Sequence, residues 1–153
     1  MRPAGDEISC VICSAARGRP DDVVSELSAS WVTAAADAPL PGYACVVAKT
    51  HAVEPYELGA DERAAFWEDC LLVSRALADL FKPSKMNYEI HGNTIPHLHM
   101  HLYPRYPGDP YKGAAIDGRA RFDRTPSDIA AIRRAVESAV SLARDDSPGD
   151  RQG

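Results

Sequence analysis

Three of the chain's five histidines fall on alternate positions of one run, His97-Leu98-His99-Met100-His101-Leu102-Tyr103. Imidazole titrates nearest neutrality of all side chains, so it serves as nucleophile, proton carrier or metal ligand. In an extended strand alternate side chains share a face. His97, His99, His101 and Tyr103 are therefore expected on one side and Leu98, Met100 and Leu102 on the other, at a repeat of roughly 7 Å. A strand that only faced water would show Thr, Lys and Glu there, and three adjacent imidazoles repel one another once protonated. The spacing leaves two chemistries open. One is a metal site, because His-x-His on a strand can grip zinc or iron. The other is metal-free group transfer, with one histidine attacking while its neighbours place charge and protons.

The flanks bear on that choice. Gly92-Asn93-Thr94-Ile95-Pro96 precedes the run; glycine lets backbone approach an anion and an amide side chain can donate to a phosphate oxygen. Between Asn87 and Arg105 the only carboxylate is Glu89, so a carboxylate to complete a facial metal triad is not obvious. From Arg105 to Arg124 five basic residues (Arg105, Lys112, Arg119, Arg121, Arg124) meet three acidic ones (Asp109, Asp117, Asp123), a local net of +2. That segment reads either as a solvated loop or as one that helps hold phosphate.

The elements that must carry these residues follow from periodicity. Residues 21–36 read as two short strands with a tight connection near Ser28, and residues 37–43, rich in Pro and Gly, as a loop. Tyr43-Ala-Cys-Val-Val-Ala-Lys49 reads as a strand. Phe66, Cys70, Ser74, Leu77 and Phe81 recur at helical steps, with Trp67, Leu71 and Ala78 beside them. They predict a helix capped by Asp61 and stopped near Lys82-Pro83. Residues 86–92 return to a strand, the histidine run is the next, and 104–124 form a long loop. Thr125-Pro126 opens a second helix that runs to about Arg144, cap residue then proline at the first position. Short links between strands favour antiparallel pairing. The expected class is α+β, with about five strands and two main helices. The expected domain limits are an N-terminal extension at 1–9, the main domain at 10–125, the helix at 126–144 and a disordered tail at 145–153.

The chain's 153 residues suit one domain with its own core. No stretch approaches the 18 or so apolar residues of a membrane span, and Met1–Cys10 lacks the apolar core of a signal peptide, so a cytoplasmic protein is expected. A net charge of −5 argues against a general nucleic-acid binder and leaves room for a local anion site.

Taken with its flanks, Gly92-Asn-Thr-Ile-Pro-His-Leu-His-Met-His-Leu-Tyr-Pro-Arg105 resembles the signature of the histidine triad (HIT) family. Pro41-Gly-Tyr-Ala-Cys-Val-Val-Ala-Lys-Thr-His51 resembles that family's earlier strand, and Cys10-Val-Ile-Cys13 the Cys-x-x-Cys of many bacterial members. The resemblance implies a HIT-like nucleotide hydrolase or transferase acting on an α-phosphate, as in dinucleoside polyphosphates such as diadenosine tetraphosphate, or in nucleoside phosphoramidates. It implies that His99 is the nucleophile and that His97 and His101 orient it, contact phosphate and assist the leaving group. No cofactor is required for that chemistry. It implies substrate contacts from Asn93, where the family commonly has Gln, from Thr94, from Asp37 toward ribose, and from Asn87. It also implies a homodimer, with Phe66 and Trp67 broadening the interface face of the first helix.

Three departures from the pattern bear on substrate choice. Tyr43 replaces the histidine after Pro-Gly, the Asp37–Tyr43 loop is shorter, and Asn87 with His91 replaces the usual Asn-x-Gly. By itself the Cys-x-x-Cys reads as buried residues, a redox pair or half of a tetrahedral zinc site. The resemblance supplies the other half, implying a structural zinc on Cys10, Cys13, His51 and His97. Cys45 and Cys70 read as core, and His91 as packed or exposed. Two rival readings remain: a nucleotide-binding sensor with little turnover, suggested by Tyr43, and a metal-dependent enzyme whose three histidines are the ligands.

Overall fold

A computed structural model describes residues 10–15, 18–119 and 122–146. The expected N-terminal extension, residues 147–153 of the expected tail, and Arg121 lie outside them. The strands are β1 (Val23–Glu26), β2 (Ser30–Thr33), β3 (Asp37–Ala38), β4 (Ala44–Ala48), β5 (Lys85–Glu89), β6 (His99–Arg105) and β7 (Phe122–Asp123). The helices are α1 (Ala60–Phe81) and α2 (Pro126–Asp145). One antiparallel sheet has the order β1-β2-β4-β6-β5, and β3 pairs with β7 in a separate two-stranded ribbon. The class is the α+β one expected.

Alternation divides β4 between two interiors. Ala44, Val46 and Ala48 join Met100 and Leu102 of β6 in the core under the helices, where α1 contributes Phe66, Val73 and Leu77 and α2 contributes Ile132 and Val136. α2 thus packs into the same core as the sheet and α1. Cys45 and Val47 point the other way, into a smaller cluster with Cys10, Ile12, Trp31, Tyr43 and Ile95. A strand clothed on both faces needs a continuous apolar sequence, and Ala-Cys-Val-Val-Ala supplies one. In the register Cys45 lies opposite His101 and Val47 opposite His99. Both imidazoles therefore share the face away from the helices.

Several expectations change in detail. α1 begins after Gly59, which has no side chain to cap it, and Asp61 sits in the first turn, where a carboxylate meets the positive helix end. Its far end is closed by Lys82 at φ 50°. The ring of Phe81 then packs on Gly42, where an added Cβ would come within 2.7 Å of it; φ 78° also favours glycine there. Trp67 and Leu71 remain exposed, whereas Phe66 is buried in the core. β6 starts at His99, so His97 and Leu98 precede the strand, while Pro104 and Arg105, read as loop, belong to it. The β3–β7 ribbon is too short for alternation to reveal. α2 opens as expected, Thr125 and Asp128 forming a reciprocal cap.

One buried carboxylate ties helix to sheet. Asp69 of α1 accepts from Ser28 Oγ (3.2 Å), Ala29 N (2.9 Å) and Ser30 Oγ (2.7 Å), fixing the β1–β2 turn. Cys45 and Cys70 are core residues as expected, and burial pushes the Cys45 thiol up to about 12.

Candidate active site and metal centre

The three histidines do not gather around one point. His97 is buried, and its Nε2–H donates to the Ala48 carbonyl at 2.7 Å, since a carbonyl can only accept. That fixes its tautomer and leaves the Nδ1 lone pair to face Cys10 Sγ (3.5 Å), Cys13 Sγ (3.6 Å) and His51 Nδ1 (3.3 Å). Cys13 Sγ is in turn 3.3 Å from His51 Nδ1. Burial, the largest cause, lowers the pKa of His97 and keeps it neutral, the form that ligates.

All four donor atoms lie within 4.8 Å of one another. Tetrahedral zinc with bonds of about 2.0–2.3 Å sets its donors roughly 3.3–3.8 Å apart, and four of the pairs already meet that spacing. Without a cation, two imidazole nitrogens and two sulfurs would crowd together with few protons to share. The residues present therefore fit a four-coordinate metal ion. Backbone pairing of Leu98 with Ala48 and Ala52 carries this cluster directly into β6.

His99 takes the opposite tautomer. Its Nδ1 is 2.6 Å from the His97 carbonyl, so Nδ1 carries the proton and Nε2 keeps a free lone pair. The His99 and His101 rings are 4.8 Å apart, closer than the strand repeat. His101 Nδ1 lies 2.8 Å from Tyr43 Oη, a pair in which either group can donate. Burial first, then repulsion from His99 and His91, pushes the His101 pKa down to about 4, so it is neutral at pH 7. Tyr43 is stacked on Tyr103 with centroids 4.9 Å apart. Its backbone carbonyl accepts from the buried guanidinium of Arg124, which also donates to the Ala35 carbonyl.

Two cavities meet at the histidine pair. One, of about 390 Å³, is walled by Val11, Ile12, Pro20, Val47 and Ile95, with Tyr43, Arg19 and Asp21 among its other residues. The second, of about 600 Å³, is lined by Asn93, Thr94, Gly92, Glu89, His91, Ile116 and Gly118. His99 and His101 belong to both.

The expected site residues therefore separate. Asn93 and Thr94 line the second cavity together with the histidine pair. Asp37 is exposed in the ribbon opposite Asp123, and Asn87 is held by Arg105 Nη1 at 2.7 Å; neither lines either cavity. Three arginines of the basic loop meet partners within the chain. Arg105 forms a two-pronged pair with Asp109, whose carboxyl it holds well below the usual range, and Arg119 meets Asp117. Those two arginines and Arg124 are thus committed to protein partners.

Two residues count for more than sequence reasoning gave them. The His91 ring lies 5.3 Å from that of His101, and its Nε2 is 2.8 Å from Glu89 Oε2. Register brings them in: antiparallel pairing sets Glu89 directly opposite His101, a placement the sequence does not state.

Comparison with known proteins gives a consistent picture. The family model described as the HIT domain matches residues 17–108. "Protein hit" of Bacillus subtilis (strain 168) is 28% identical over 147 residues, covering 87% of this chain and 95% of that protein. Among solved structures, a histidine triad protein from Bradyrhizobium japonicum superposes with TM-score 0.69 at 25% identity, covering 77% of this chain and 89% of its own. A zinc-bound histidine triad family protein from Mycobacterium smegmatis does so with TM-score 0.64 at 20% identity, covering 92% and 99%. No helix among the described residues is long and apolar enough to cross a membrane.

Proposed function

The chain belongs to the HIT domain family, and from that premise we propose that it is a nucleotide hydrolase working through a nucleotidyl-histidine intermediate. The observation that carries the reading is the tautomer of His99: the His97 carbonyl holds the proton on Nδ1, so Nε2 is a free nucleophile between two cavities. Attack by Nε2 on the α-phosphorus forms a P–N bond as the bond to the leaving group breaks. Water then attacks the same phosphorus, the P–N bond breaks, and a nucleoside monophosphate departs with His99 restored.

Neutral His101 supports this as a donor. With the Tyr43 hydroxyl donating to Nδ1, the His101 proton sits on Nε2, available to a phosphate oxygen that gains charge in the transition state. Asn93 and Thr94 add donors at the rim, and the apolar walls of Val11, Ile12 and Ile95 suit a nucleobase. Asp37 and Asn87, away from both cavities, have no part in this reading.

A structural zinc on Cys10, Cys13, His51 and His97 belongs to the same proposal. It would supply rigidity, cross-linking the N-terminal turn, the segment after β4 and the approach to β6, while His97 presents its carbonyl to His99. A homodimer is proposed as well: Trp67 and Leu71, four residues apart on α1, form an exposed apolar patch that a second copy would cover. Light scattering showing a monomer at micromolar concentration would argue against it.

The test is turnover of diadenosine tetraphosphate and adenosine phosphoramidate, with and without chelator, in wild type and His99→Ala. Release of adenosine monophosphate by wild type, resistant to chelator and absent from the variant, is expected. Tight binding of adenosine monophosphate without release from either substrate would favour a sensor instead.

A further inference from the structure

Both cavities contain the nucleophile, but their chemistry differs. The Glu89–His91 cavity contains no lysine or arginine among the described residues that line it, while Glu89 contributes a carboxylate. A departing polyphosphate would bring several negative charges to a wall with no fixed cation among its described residues. A leaving group that departs as a neutral amine or alcohol would meet no such cost, yet it needs a proton as its bond to phosphorus breaks. Among the described residues that line the cavity, His91 is held in place to give it. Glu89 Oε2 engages His91 Nε2 at 2.8 Å, as a carboxylate orients the imidazole of a catalytic pair. His91 Nδ1 has no hydrogen-bond partner among the described residues. Backbone geometry fixes the pair: Glu89 ends β5 opposite His101, and Gly92, at φ 80°, turns the chain just after His91.

We propose that His91, oriented by Glu89, is the general acid for the leaving group, and that the cavity beside it selects substrates whose leaving group departs as a neutral amine or alcohol. This rests on the hydrolase reading above. In the first step His99 Nε2 bonds to phosphorus, the bond from phosphorus to the leaving nitrogen or oxygen breaks, and that atom takes the Nδ1 proton of His91, which enters the step as the imidazolium paired with Glu89 and leaves it neutral. In the second step water attacks phosphorus and gives a proton back to His91 Nδ1. The P–N bond to His99 then breaks, and both imidazoles return to their starting state. His101, neutral and bonded to Tyr43, stays with the phosphate oxygens and does not compete for this proton.

The test compares two adenosine 5′-phosphates that differ only in the leaving group, an alkylamine phosphoramidate and a 4-nitrophenyl diester. Nitrophenolate leaves without a proton. For His91→Asn, kcat/KM on the phosphoramidate should fall by about 100-fold or more, while the nitrophenyl diester changes by less than about threefold. Glu89→Gln should show the same selectivity with a smaller loss, about tenfold, and a shifted alkaline limb in the pH profile on the phosphoramidate alone. His91 is more than half exposed, its side chain at 53%, so the substitution should leave folding intact, as retained diester turnover would verify. Equal losses on both substrates, or none on the phosphoramidate, would overturn the assignment while leaving the hydrolase reading in place. Failure of the wild type to release adenosine monophosphate from either substrate would sink both.

Discussion

Replacing Tyr43 with phenylalanine removes one oxygen and almost nothing else. The ring keeps its stack on Tyr103, and the backbone keeps its tie to Arg124. What is lost is the 2.8 Å contact to His101 Nδ1. His101 is half-buried and neutral, so its ring nitrogen would have no protein partner and little water to replace one. Leaving such a group unsatisfied costs about 1–3 kcal/mol. If that bond also sets which nitrogen of His101 carries the proton, the cost falls on the transition state. It then appears as a loss of roughly 5- to 150-fold in kcat/KM at about 1.4 kcal/mol per decade. The measurement is steady-state turnover of a nucleotide substrate by Tyr43→Phe beside wild type, with urea unfolding as the control. Stability should fall by only about 1 kcal/mol. Unchanged kcat/KM would refute the idea that the phenol sets the His101 proton. A stability loss large enough to explain the activity would refute the claim that the oxygen acts in catalysis.

Other consequences concern the fold and the metal centre. His101 titrates near 6.5 when unfolded and near 4 when folded, so the unfolded chain binds more protons between those values. Its contribution to stability should be full above pH 6.5 and disappear as pH falls toward 4, read as a falling urea midpoint that His101→Gln flattens. Zinc analysis of the purified protein should give one equivalent per chain, and Cys10→Ser combined with Cys13→Ser should abolish it and lower Tm by more than roughly 5 °C. Full zinc retention in that double variant would contradict the ligand set. Asp69→Ala strips three hydrogen bonds from the β1–β2 turn and should cost about 2–4 kcal/mol in denaturant unfolding. A loss below about 1 kcal/mol would mean that the turn does not depend on that carboxylate.

Much of this was legible in the sequence because the signals are local. A β-branched centre located β4, alternation located β6, helical periodicity located both helices, and Thr125-Pro126 gave the start of α2. The pairing of Cys10-x-x-Cys13 with His51 and His97 came from resemblance, and the structure gathers those four donors. What could not be read is long-range. His97 leaves the shared histidine face because the strand starts two residues later than the pattern suggests, and a buried carbonyl and two cysteines claim its ring. Asp37 and Asn87 fall away from the cavities for a similar reason: their partners, Asp123 and Arg105, lie 86 and 18 residues further along. His91 and Glu89 enter the site only once β5 is placed beside β6, an arrangement that composition and spacing do not state.

The central claim is that His99 carries the nucleotidyl group. Wild-type protein mixed with an adenine-labelled substrate, quenched within milliseconds to seconds at alkaline pH and digested, should yield the peptide containing His99 with one added adenylyl group. The adduct should form in the presence of chelator, decay at the rate of adenosine monophosphate release, and be absent from His99→Ala. Undiminished release by His99→Ala, or an adduct mapped to another histidine, would contradict the account.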